Sequence, residues 1–335
     1  MFRSHGILIV LTLLISGCGG STPESDGDDN RVVIGGSTWY AHLPAIYGVE
    51  TGIFKKHGFD VEFRPVGTSS DRIKAISSGT VQFASLGQIA MLTQMANGNK
   101  SFYWVGNQDI APGFEGVVAA PGITSFSQLK GKKIGLVIAS SVEITVYQLL
   151  GQNGMTSSDV KLVPLKPNQI TTAMKTGSID AGAVWEPHFS RIKAIEGATV
   201  LGLDTDTDIY KTYKTMTGPD VLVIGRSWVD ANPERARRFM KAYWEAVDAV
   251  RADPQGALNA IFDRWFKDPE ARPVLEKNLT KFVWLTLADQ KKVFSNDGLY
   301  KQTDEVLRIL KDEIGKIHEL PKFREWVNTD ILPFE

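Results

Sequence analysis

Cysteine is all but missing: the 335 residues hold one, Cys18. No disulfide can form within the chain, because there is no second thiol to pair with. An excess of either charge is missing too, with 37 Lys and Arg against 38 Asp and Glu and a net charge of −1. Nucleic-acid binding and polybasic attachment to a membrane surface both need a basic surplus, so neither is expected. Past the N-terminus no run of about 18 apolar residues occurs that could span a bilayer. The uncharged stretch 81–99 comes nearest, but Gln82, Ser85, Gln88, Thr93, Gln94 and Asn97 interrupt it, and it reads as a strand followed by a helix.

The usual signatures of reaction chemistry are absent as well. His5, His42, His57, His188 and His318 have no paired-ligand spacing, so no zinc site is expected. Asp204, Asp206 and Asp208 imitate the opening of a calcium loop, but Ile209 stands where its turn glycine belongs and Thr215 where its bidentate glutamate belongs. No phosphate-binding loop, dinucleotide glycine motif or nucleophile elbow sits in a strand–turn–helix setting. The expectation is a chain without cofactor or metal and without catalysis.

What remains is ordinary globular composition, 43% apolar and 22% charged, with length enough for about two domains. Residues 1–17 join Arg3, an apolar stretch over 7–15 and the small pair Ser16-Gly17 ahead of Cys18, which reads as a secretory signal. The small pair before Cys resembles a bacterial lipobox, with Cys18 acylated as the new N-terminus; an ordinary signal that happens to hold a Cys is the competing reading. Residues 18–30 then form a lipidated, acidic tether without large apolar residues, whose burial could not offset ordering. Such a tether reaches on the order of 20 Å from a membrane.

From residue 31 short apolar runs alternate with amphipathic stretches, the pattern of βαβ units and of an α/β fold. Strands are expected over 32–35, 60–65 and 81–86, with helices over 43–52, 69–78 and 89–96. The series repeats with strands over 133–138, 160–164 and 179–184 and helices over 141–151 and 168–175. Ala75-Ile76-x-x-Gly79-x-Val81 returns as Ala173-Met174-x-x-Gly177-x-Ile179, 98 residues later. Each glycine suits a left-handed turn from helix into strand. The chain is therefore expected to form two similar lobes, 31–118 with 221–335 and 119–220, joined by the strand-like crossings 115–120 and 221–225. Helices over 233–252, 254–266 and 303–317 should pack mainly on the first lobe, with Phe239, Tyr243, Val247 and Val250 at inward spacing.

In such a fold ligands bind beyond the carboxyl ends of the strands, here in a cleft between lobes. Those ends carry Ser37, Trp39 and Tyr40, then Gly87-Gln88, then Ser140-Ser141, then Trp185-Glu186. A Ser hydroxyl with free N–H groups at a helix N-terminus makes an anion site that needs no basic side chain; a simple N-cap is the plainer reading, and the two are compatible. Glu115, Glu186 and Asp220, near aromatic faces, suit an ammonium group. The set describes a site for a small zwitterion.

Thr51-Gly52-Ile53-Phe54-Lys55-Lys56-His57-Gly58, Ser78-Gly79-Thr80-Val81-Gln82, Leu129-Lys130-Gly131-Lys132-Lys133-Ile134 and Gly177-Ser178-Ile179-Asp180-Ala181-x-x-x-Trp185-Glu186-Pro187 resemble the taurine, alkanesulfonate and nitrate solute-binding proteins of ABC importers over about residues 31–255. The resemblance implies a two-lobed periplasmic binding protein of the second topological type that closes on its ligand by a hinge. It implies a monomer that works outside the cytoplasm, held to a membrane by its lipid, and hands the ligand to permease and ATPase subunits. Ser140-Ser141 match the family's Ser/Thr pair, Asp220-Val221 its amine-holding Asp-Val pair, and Trp185 its Trp. Glu115 falls in Gly113-Phe114-Glu115-Gly116, which departs from the family's Ser-Glu-Ala, and Glu186 stands where that branch has Ala. The expected ligand is taurine or another aliphatic sulfonate, held by Ser37, Trp39, Tyr40, Gln88, Glu115, Ser140, Ser141, Trp185, Glu186 and Asp220. The alternatives are a thiamine-pyrimidine precursor or other amine bound in the same fold, and a pyrimidine synthase-like enzyme, which the lack of a mature thiol disfavours.

Overall fold

The structure is a computed structural model that describes residues 30–295 and 297–334, with side chains from 295 to 298 outside the description. The expected signal over 1–17, Cys18 and all of the tether but Asn30 lie outside the described residues.

In chain order the strands are β1 (Arg31–Gly36), β2 (Asp60–Pro65), β3 (Phe83–Gly87), β4 (Phe102–Asn107), β5 (Asp109–Ile110) and β6 (Glu115–Ala119). There follow β7 (Lys133–Leu136), β8 (Lys161–Pro164), β9 (Ala181–Trp185), β10 (Thr199–Leu203), β11 (Asp220–Gly225) and β12 (Val283–Trp284). They build two five-stranded sheets, ordered β2-β1-β3-β11-β4 and β8-β7-β9-β6-β10, with β5 and β12 paired separately. In each large sheet three parallel strands come first, followed by an antiparallel strand, β11 beside β3 or β6 beside β9. The two orders are equivalent place for place, as the internal repeat leads one to expect. Gly79 and Gly177, at φ 72° and 68°, make the left-handed turns that the repeat assigns them.

The crossings exchange sheets. β6 leaves the first half of the chain yet pairs with β9 and β10 of the second sheet. The first boundary therefore falls ahead of Glu115, not after residue 118 as expected. The cause is the pairing itself: the backbone donors and acceptors of β6 are met between β10 and β9, from Glu115↔Trp185 to Ala119↔Ala181. β11 returns to the first sheet, close to its expected place.

The first sheet is buried on both faces. Val32 and Ile34 of β1 and Leu222 and Ile224 of β11 enter one core, whereas Val33, Val221 and Val223 enter the other, the period-two alternation of strand side chains. The helix Pro233–Ala252 closes the first core through Phe239, Tyr243, Val247 and Val250, with Phe239 and Tyr243 ring centroids 5.2 and 4.9 Å from Phe83. The helix Asp297–Arg308 brings Val306 and Leu307 to the second core. The α-helical parts of the two later helices end at Ile261 and Arg308, and each continues as a wider π-type turn, Phe262–Phe266 and Ile309–Glu313.

Candidate functional site

The carboxyl ends of β1, β3, β7 and β9 open on one cavity of about 240 Å³ lined from both large sheets. It is smaller than the roughly 300–1,000 Å³ typical of drug-sized ligands, which is the scale of a small metabolite.

From the second sheet come the turn Ala139-Ser140-Ser141, Glu115 and Trp185. Ala139 has a φ of 60°, and its N–H donates to Glu143 Oε2 at 2.7 Å, which fixes the turn ahead of the helix Ser141–Gln152. Ser140 holds the N-cap place without making the cap bond; its hydroxyl donates instead to Val137 O at 2.7 Å. The Ser141 hydroxyl donates to Glu115 Oε2 at 2.5 Å. Thr145 and Thr217 donate to Glu115 Oε1 at 2.6 and 3.2 Å. Burial pushes the Glu115 carboxyl up, and these three hydroxyls pull it back. Both serines thus face the cavity, but in this arrangement their hydroxyl hydrogens are already spent within the chain.

From the first sheet come Ser37 and Trp39 just beyond β1, Gly87 at the end of β3, and Asp220 at the start of β11. The Ser37 N–H donates to His42 Nδ1 at 2.7 Å. An accepting Nδ1 places the hydrogen of neutral imidazole on Nε2, 3.2 Å from Asp220 Oδ2. Burial lowers the His42 pKa while Asp220 opposes it. Trp39 is held edge-on against Phe114 and Phe282 at 6.1 and 5.8 Å.

Three expected residues point elsewhere. Tyr40 is core: it stacks on Phe282 at 5.5 Å and donates to Val274 O at 3.3 Å. Gln88 is fully buried and exchanges hydrogen bonds with Gln302 at 3.1 and 3.0 Å, pinning a C-terminal helix rather than facing the cavity. Glu186 accepts from Ser190 N and Oγ at 2.9 and 2.8 Å and from Lys193 at 3.3 Å, so it tends the first turn of the helix His188–Lys193. A strand end faces a cleft, but successive side chains there point opposite ways, and Gly87 and Trp185 take the cavity side.

Three titratable lining residues were not expected: His42, Arg72 and Asp109. Arg72 lies in the helix Ser69–Ser77, four residues before the buried Ile76, and that spacing puts a cation on the inward face. Its Nε donates to Val66 O and another guanidinium nitrogen to Ser85 O, both at 3.0 Å. Burial lowers its pKa to about 10, still cationic at neutral pH. The cavity therefore holds a guanidinium, which the sequence reading did without. Asp109 is buried, accepts the Asp220 N–H at 2.8 Å through Oδ1, and leaves Oδ2 without a hydrogen-bond partner among the described residues. Among the described residues no His, Cys, Asp and Glu group is arranged to hold a metal ion.

The arrangement can hold a small molecule between indole walls with charged groups of both signs, and among the described residues no cysteine or lysine lines it. The fold is that of periplasmic binding proteins: the aliphatic sulphonate binding protein SsuA of Escherichia coli superposes with a TM-score of 0.71 at 18% identity, over 90% of this chain and 98% of its own. The taurine-binding periplasmic protein of Escherichia coli is 26% identical over 221 residues, 64% of this chain and 63% of that one. The 4-amino-5-hydroxymethyl-2-methylpyrimidine phosphate synthase of Aspergillus parasiticus is 30% identical over 264 residues, 73% of this chain and 75% of that one. Matches of this chain to several curated relatives run over about two thirds of their length. The family described as NMT1/THI5 like matches residues 39–257, well over half of the sequence, and the chain belongs to it.

Proposed function

We propose that this protein is the solute-binding component of an ABC importer, working outside the cytoplasm on a lipid tether at Cys18 and passing a small organic solute to permease and ATPase subunits. The observation that carries this reading is the cavity: Ser141 and Trp185 from the second sheet and Trp39, Arg72 and Asp220 from the first line one small space between the two sheets. Taurine or another aliphatic sulfonate is the leading ligand. Arg72 supplies positive charge for the sulfonate, the indoles of Trp39 and Trp185 cover the carbon chain, and Asp220 answers the amine. The names of the Escherichia coli relatives support the same ligand class.

An enzyme of the kind named in Aspergillus parasiticus is the rival. The sequence has one cysteine, ahead of the described residues, and among the described residues no thiol or amine nucleophile lines the cavity. Binding without conversion is the better reading. Calorimetric titration of the purified protein with taurine, alkanesulfonates, nitrate, simple amines and an aminopyrimidine tests it, with mass spectrometry of the recovered solute. One member should bind with a Kd in the micromolar range or below, about −8 kcal/mol or better, and return unchanged. No heat from any of them with folded protein removes this ligand class, and a new product revives the enzyme.

A further inference from the structure

Asp109 stands apart from the other acids of the cavity. β5 is two residues long and pairs with β12, which sets Asp109 opposite Trp284 and buries it to 1% exposure while it still lines the cavity. Glu115 has three hydroxyl donors, and the His42 Nε2 lies 3.2 Å from Asp220 Oδ2. Asp109 Oδ1 has the Asp220 N–H, but its Oδ2 has no donor among the described residues. A buried oxygen without a partner costs free energy in proportion to the charge it carries. Arg72 turns donors to Val66 O and Ser85 O. The unmet oxygen belongs to a residue that lines the ligand space.

We propose that the solute carries a protonated amine and that Asp109, through Oδ2, receives it, with Asp220 and Glu115 flanking. This rests on the reading of the cavity as a solute site and names the group that the solute must bring. The charged and titratable groups around Asp109 are Asp220, Glu115, His42, Arg72 and the buried Tyr243 hydroxyl. Burial first, then the negative neighbours Asp220 and Glu115, hold the Asp109 carboxyl well above the usual carboxylate range, which favours its protonated form in the free protein. An ammonium group 3 Å or so away favours the carboxylate. The proton then leaves Asp109 for solvent as the cation enters, one positive charge exchanged for another. Affinity must rise with pH, by at most about tenfold per unit, until Asp109 is ionised in the free protein as well. A neutral Asp109 that instead donates its O–H to an anionic oxygen of the solute gives the opposite slope.

Taurine and ethanesulfonate differ in the amine alone and form the test, titrated into the purified protein in buffers of different ionisation enthalpy over a range of pH. Taurine should release about one proton and tighten with pH, and ethanesulfonate should bind at least about tenfold more weakly. Asp109→Asn keeps an oxygen for the Asp220 N–H; it should remove the proton release and weaken taurine at least about tenfold. The wild-type proton count stands on its own if that variant fails to fold. Equal affinity for the two compounds, or taurine binding without proton release, overturns the assignment to Asp109 and leaves the solute-binding reading intact. If neither compound binds, the sulfonate reading falls and ethanolamine with ethylene glycol as its amine-free control takes their place. Silence from ethanolamine as well overturns the inference.

Discussion

At the scale of single residues, the sequence exposed those whose chemistry follows from their position. Ser141 and Trp185 close strand–turn–helix units, and both line the cavity. Tyr40, Gln88 and Glu186 neighbour such positions, but their side chains turn to the core, to Gln302 and to Ser190. A strand end marks a place, and only the direction of each Cβ decides which neighbour uses it. Asp109 was illegible because a two-residue strand has no periodicity to read, and its burial depends on Trp284, 175 positions further along. Trp185→Ala should weaken solute binding by about 1–3 kcal/mol and remove the ligand-induced change in tryptophan fluorescence; unchanged affinity would make Trp185 part of the framework only. Asp204 gives a second prediction. Burial, with the charge of Glu115 added, pushes its carboxyl up to about 8 from an ordinary 3.8. The folded chain keeps a proton there that the unfolded chain gives up, so the stability this group contributes is full below about 3.8 and lost progressively as pH rises to about 8. Urea unfolding of Asp204→Asn, which keeps an acceptor for the Gly113 N–H, should show a flatter decline over that range than the wild type. Parallel profiles contradict the assignment.

At the scale of elements, the βαβ pattern and the repeat could be read because helix and strand periods differ and because left-handed turns favour glycine. The sheet exchange of β6 was hidden: Gly116, Val117, Val118 and Ala119 are apolar enough for either sheet, and sequence holds no record of the partner. Gly116 shows what that pairing demands. A Cβ there would lie 2.4 Å from the carbonyl oxygen of Gly202 on β10, a backbone atom that cannot swing aside. Gly116→Ala should cost about 1–3 kcal/mol, seen as a lower urea midpoint at constant slope. A wild-type midpoint would mean that β6 and β10 part without penalty. The strand also carries Glu115, so the variant should loosen the cavity wall along with the sheet.

At the scale of the whole molecule, two ion pairs among the described residues tie the second sheet's helices to the C-terminal segment. Lys316 reaches Glu143 Oε2 at 3.2 Å, the same oxygen that holds the Ala139 turn, and Arg191 reaches Asp268 at 2.6 Å. The first pair is the more buried, with side chains 20% and 4% exposed, so water screens it less. Lys316→Ala should speed dissociation of the solute about fivefold, the equivalent of about 1 kcal/mol, with little effect on association; stopped-flow fluorescence resolves the two rates, and an unaltered off-rate would deny Lys316 any part in holding the lobes together. Whether the lobes close on a solute is decided by a crystal structure of the protein grown with taurine. An intact molecule should lie between Trp39 and Trp185, its amine at Asp109 and Asp220 and its sulfonate toward Arg72. A ligand bound outside that cavity, or a cavity filled by water alone in crystals at saturating taurine, would contradict it.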